Sequence, residues 1–116
     1  MWIFCEQGFF SAVEHREQRD CVLIRARFEG DLERLITRYL PEQKDELIAT
    51  IQYTEYADYA YRVKMSKSVF AEITKQIAEN INYDNFKDHV HEGCNSKRDQ
   101  AYMGCWAVLW RAQNHR

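Results

Sequence analysis

Apolar and polar positions alternate through "CVLIRARF" (Cys21–Phe28), which reads as a strand. Val22, Ile24, Ala26 and Phe28 fall on one side of it, and Cys21, Leu23, Arg25 and Arg27 on the other. The same period of two recurs in "YAYRVKM", where Tyr59, Tyr61, Val63 and Met65 alternate with Ala60, Arg62 and Lys64. At Ser66 that period gives way to a helical one. Two further strands are expected at the start, in "MWIFCE" and "FFSAVEH", with Gln7-Gly8 as a bulge or tight bend between them. "REQRD" (Arg16–Asp20) is a polar turn.

Helical spacing is clearest after Gly30-Asp31. Leu32, Leu35, Ile36, Tyr39 and Leu40 follow i, i+3, i+4, i+7, i+8, with Asp31 as the expected N-cap and Pro41 as the stop. Polar "PEQKDE" precedes "LIATIQY", read as a strand, and the turn "TEYAD" then makes the quoted basic strand the second arm of a hairpin. Ser66 is the expected N-cap of a helix lined by Phe70, Ile73, Ile77 and Ile81. "YDNFKDHVH" is a short helix, and "SKRD" (Ser96–Asp99) resembles a capping box opening a last one, with Tyr102, Cys105, Trp106 and Leu109 on one face. Strands, helix, strands and then helices predict one α+β domain over 1–116, an antiparallel sheet with helices on one face. A ferredoxin-like arrangement is the nearest common architecture.

Composition narrows this picture. Sixteen Lys and Arg against 18 Asp and Glu give a formal charge of −2, which argues against a general nucleic-acid binder. No apolar run approaches the roughly 20 residues of a membrane span, and the opening decapeptide lacks the pattern of a signal peptide. Four cysteines without a secretory leader are expected as reduced thiols in a cytoplasmic protein, with Cys21 and Cys105 acting as small hydrophobes.

Against that acidic balance, the basic strand faces stand out. Were the two strands neighbours, Arg25, Arg27, Arg62 and Lys64 would share the side away from the helices. Like charges opposite one another are destabilising unless an anion compensates, and arginine meets phosphate or carboxylate with a planar fork. Tyr53 and Tyr56 lie close in sequence and offer rings for stacking. The competing account is a solvated face on which Glu14 or Glu55 pairs with these cations. A second cluster, Asn82, Tyr83, Asn85 and Lys87, surrounds a helix start that attracts anions or is simply capped. His89, His91 and Cys94 spell H-x-H-x-x-C, a spacing that matches no strong zinc pattern, so neither metal nor cofactor is expected. Nucleotide-cradling glycine loops and hydrolase motifs are absent from the sequence. His15 with Glu14 is the acid/base alternative. Trp110 beside Trp106 makes the last helix apolar over a wide arc, suited to deep burial or to a homodimer contact.

"GFFSAV", "IRARF", "ADYAYR", "YDNFKDHV" and "AYMGCWAVLW" together give the chain, from Gly8 to Trp110, a resemblance to a family of small bacterial and phage proteins with no assigned function. The resemblance implies an intracellular context, with a phage origin and an anti-defence role by analogy, and it carries over no activity, cofactor or catalytic residue. The expected function is therefore non-catalytic capture of an anionic small molecule such as a signalling nucleotide. The residues expected to hold it are Arg25, Arg27, Tyr61, Arg62, Lys64, Tyr83, Asn85 and Lys87. The alternatives are an inhibitor or adaptor that binds a host protein through an aromatic surface, and a small enzyme that cleaves phosphate esters.

Overall fold

A computed structural model describes residues 1–92 and 96–115, the side chains of Glu92 and Ser96 excepted. Two compact units make up the chain, Met1–Ile81 and Asn82–Arg116. The first is an α+β unit built on five antiparallel strands: β1 (Trp2–Cys5), β2 (Gly8–Glu14), β3 (Cys21–Ala26), β4 (Gln52–Tyr53) and β5 (Tyr61–Ser66). Their spatial order is β1-β2-β3-β5-β4. An N-terminal meander of three strands precedes the first helix, so the element order departs from the β-α-β-β-α-β of ferredoxin-like folds.

Alternation decides which side of the sheet is buried. Phe10, Ala12, Val22, Ile24, Ala26, Val63 and Met65 point to one face and form the core. Helices α1 (Asp31–Tyr39) and α3 (Lys67–Glu79) pack against that face. The apolar stripe of α1 lands as its spacing predicts, with Leu32, Leu35, Ile36 and Tyr39 buried in the helix and Leu40 just beyond it. Ser66 caps α3, its hydroxyl accepting from the Val69 N–H at 3.1 Å. Ser66→Ala is expected to lower stability by about 1 kcal/mol, read as a denaturant midpoint shifted at constant slope.

Several local expectations are corrected. Gly30, at φ 86°, rather than Asp31 occupies the N-cap of α1; Asp31 is the first helical residue, fully buried and ion-paired to Arg34. Lys44–Ile48 forms a short helix, α2, and only Gln52 and Tyr53 of the expected "LIATIQY" strand pair with β5. Acidic and basic residues at i, i+1 and i+2 had masked an apolar pair, Leu47 and Ile48, that packs on the core. Phe28 lies past the end of β3 and is 36% exposed, and Ile81 lies past α3 at 56%. Strand β5 starts at Tyr61, so Tyr59 is not bound by its alternation.

The second unit holds α4 (Phe86–Glu92) and α5 (Ser96–Asn114). Phe86 packs on Tyr102 with ring centroids 5.7 Å apart. Of the expected α5 stripe only Tyr102 is buried; Cys105, Trp106 and Leu109 are exposed, so Cys105 does not act as a core residue. The capping role expected of the Ser96 side chain lies outside the described residues. Among the described residues no helix is long and apolar enough to cross a membrane.

Candidate anion-binding face

Strand register assembles the outer face of the sheet. β3 and β5 are hydrogen-bonded neighbours, with Arg25 directly opposite Arg62 and Leu23 opposite Lys64. On the other side of β3, Arg25 faces Ser11 and Leu23 faces Val13. Two rows therefore run across the strands, Ser11–Arg25–Arg62 and Val13–Leu23–Lys64, both on the face that α1 and α3 leave open. Directly opposed like charges cost roughly 0.2–1 kcal/mol, so something must hold these two guanidiniums in place.

Part of that support is aromatic. The Tyr59 ring, only 4% exposed, lies under both Arg25 at 4.5 Å and Arg27 at 4.1 Å, and each contact is a cation–π attraction. Hydrogen bonds supply the rest. Arg25 Nη2 donates to Ser11 Oγ at 2.8 Å, Arg62 Nη2 to the Tyr59 carbonyl at 3.3 Å, and Arg27 Nε to the Asp58 carbonyl at 3.1 Å. Lys64 Nζ reaches Gln18 Oε1 at 3.0 Å. Among the described residues, none of the four cations meets a carboxylate within 4 Å. Glu14, weighed as a neutralising partner, is bound to Lys67 at 2.8 Å instead.

The Nε–H groups of Arg25 and Arg62 are withdrawn from water and have no acceptor. An unsatisfied buried donor costs about 1–3 kcal/mol, more when charged. Two such donors, on directly opposed residues of β3 and β5, are left without an acceptor oxygen. They sit in a groove of about 720 Å³ lined by Val13, Leu23, Arg25 and Arg62 and by the turn residues Glu14–Glu17. Within that turn the Nδ1 of His15 accepts from the Glu17 and Gln18 N–H groups, each at 3.2 Å. The neutral imidazole therefore carries its proton on Nε2 and is a donor there. With its Nδ1 tied to the turn and Glu14 held by Lys67, the pair does not form the acid/base couple weighed from sequence.

The remaining sequence candidates lie elsewhere. Tyr61 is opposite Ala26 on the helix-covered face and packs on Tyr53 at 5.1 Å. Partial burial pushes its phenol up from the ordinary value, and Glu29, Tyr53 and Glu33 push it further. That acidic setting repels an anion, so Tyr61 is not part of this face. Tyr56, 96% exposed at a turn, has φ 66° and offers no wall. Tyr83, Asn85 and Lys87 belong to the second unit. Asn85 Oδ1 caps α4 by accepting from the Asp88 N–H at 3.1 Å; Tyr83 stacks on His89 at 4.5 Å, and Lys87 lies 5.1 Å from the Trp106 ring. Each has a local structural task.

Ser11 and Tyr59 belong to the site without having been ligand candidates in the sequence, and His15 was read there only as an acid/base partner of Glu14. A lone serine inside "FFSAV" was the available signal for Ser11, which is 1% exposed. Cys94 of the H-x-H-x-x-C run lies outside the described residues, and among the described residues no three His, Cys, Asp or Glu side chains converge as a metal would need. Burial pushes the Cys5 thiol up, away from the reactive thiolate. Comparison with protein-family models, with curated proteins and with solved structures finds no match to this chain.

Proposed function

We propose that the protein is a non-catalytic binder that captures a small phosphate-bearing molecule, of the signalling-nucleotide class, on the Arg25/Arg62 groove. The observation that carries this reading is the pair of opposed guanidiniums whose buried Nε–H groups lack any acceptor. A tetrahedral oxyanion between the two guanidiniums cancels their mutual repulsion and, as the side chains turn toward it, supplies acceptor oxygens to both, and Arg27 and Lys64 add positive potential nearby. The His15 Nε2–H is a further neutral donor at the groove. In this reading the protein sequesters a nucleotide that signals host defence, work for a binder without catalysis.

Native mass spectrometry of freshly purified protein tests this. The expected result is extra mass that leaves on denaturation as an intact phosphate compound, or uptake of inorganic phosphate at millimolar concentration by protein purified empty. A protein that retains no anion and takes up none contradicts the reading, and a ligand recovered cleaved contradicts its non-catalytic part.

A second reading rests on α5. Trp106 and Trp110 stack at 6.2 Å and are about half exposed, and Leu109 is 68% exposed, the kind of surface a protein partner covers. The same spectra test the simplest form of this reading, a second copy of the chain, as a doubled mass.

A further inference from the structure

The outer face carries a second feature, beyond the anion groove on which the present inference rests. Trp2, Phe4 and Phe9 cluster there, Phe4 stacked on Phe9 at 4.5 Å and Trp2 edge-on to Phe9 at 5.6 Å. Trp2 is 70% exposed and Phe4 37%, although both sit in a regular strand of the sheet. Register ties these rings to the cations. Trp2 pairs with Ser11, and Ser11 with Arg25, so Trp2 opens the cross-strand row that runs through Arg25 and Arg62 to Gln52. Phe4 pairs with Phe9, and the Arg27 guanidinium lies 5.6 Å from the Phe9 ring. One face thus joins the exposed Trp2 ring to a phosphate-seeking clamp. Trp2 and Arg25 are two strand spacings apart, about 10 Å between backbones, and the Arg25 guanidinium reaches back to Ser11 on the strand between them.

We propose that the ligand is a nucleoside phosphate, with its phosphate between Arg25 and Arg62 and its base stacked on Trp2 and supported by Phe4. Charge complementarity selects the phosphate, and a solvent-facing indole selects a flat ring, because every base offers a π face. The distribution of charge selects a single nucleotide over a polynucleotide. Arg25, Arg27, Arg62 and Lys64 are confined to β3, β5 and the residue after β3, and the turn that lines the groove sets Glu14 and Glu17 beside a single further cation, Arg16. A strand-tracking protein needs a continuous basic path instead.

Calorimetric titration of the full chain with adenosine monophosphate and with ribose 5-phosphate separates the ring from the anion. Adenosine monophosphate is expected to bind about tenfold tighter. Trp2→Ala should erase that advantage by weakening adenosine monophosphate alone, while Trp2→Phe retains most of it. Trp2 is exposed, so neither variant removes a core side chain. Equal affinity of the two ligands for the unaltered protein overturns the base subsite and leaves the anion site standing. No binding of either overturns both. A single-stranded oligonucleotide binding a hundredfold tighter than the mononucleotide overturns the choice of a small ligand.

Discussion

Arg62→Glu is expected to abolish phosphate binding, a loss of at least a hundredfold or roughly 3 kcal/mol. The same change should leave the folded protein slightly more stable. Position 62 is directly opposite Arg25, so the substitution replaces a like-charge pair by an opposite-charge pair on the open face. The gain is expected at about 0.5 kcal/mol, seen as a higher denaturant midpoint at unchanged slope. Opposite signs for binding and stability are the mark of a residue kept for its ligand. A residue kept for structure would lose both together. Titration calorimetry with inorganic phosphate and chemical unfolding of the same two proteins measure the pair of effects.

Gly8→Ala is expected to cause the largest loss of stability among single changes in the sheet, about 2–4 kcal/mol. Gly8 has φ 153°, where an L side chain is strained, and it begins β2 directly over the Asp31 carboxylate. A Cβ placed there would collide with that carboxyl group, which is fully buried and paired to Arg34. The neighbouring Gln7 takes part in the same junction, its Oε1 accepting from the Tyr39 hydroxyl at 3.1 Å. Pushing β2 away would therefore loosen the seat of α1 on the β1–β2 hairpin. Gly104→Ala provides the control: it is a helical glycine with open space around it, and alanine there should stabilise by up to about 1 kcal/mol. Thermal unfolding of the two variants should move in opposite directions.

Much of the fold could be read along the chain wherever one periodicity ran long enough. Five apolar positions fixed the buried face of α1, and alternation in β3 and β5 separated Ile24 and Val63 from Arg25 and Arg62. Short or mixed segments were opaque. Leu47 and Ile48 belong to a five-residue helix too brief to show a period, and β4 is two residues held only by its pairing with β5. The cap of α1 was displaced by one residue because a buried Asp31, packed beneath Gly8, pairs with Arg34, and Gly30 takes the N-cap in a left-handed conformation.

The candidate site divides along the same line. Its arginines were visible as a pattern, since charges alternating with core residues must share one face. Their partners were not. Ser11, His15 and Tyr59 reach the arginines or their groove through cross-strand register and loop geometry, which a linear sequence does not encode as spacing. Tyr61 was grouped with the cations although its own parity in β5 sets it on the opposite face beside Tyr53. Asn85 and Lys87 were drawn in by chemistry alone, and capping and a tryptophan contact account for them.

The most direct test of the central claim watches the two orphaned donors. Nitrogen-15 NMR resolves arginine Nε–H signals, and a titration with inorganic phosphate should shift those of Arg25 and Arg62 together along one saturable curve. Arg34 and Arg38, which pair with Asp31 and Asn80, should not move. Signals of Arg25 and Arg62 that stay fixed at saturating phosphate would contradict the account, because an anion held in this groove must engage the guanidiniums that line it.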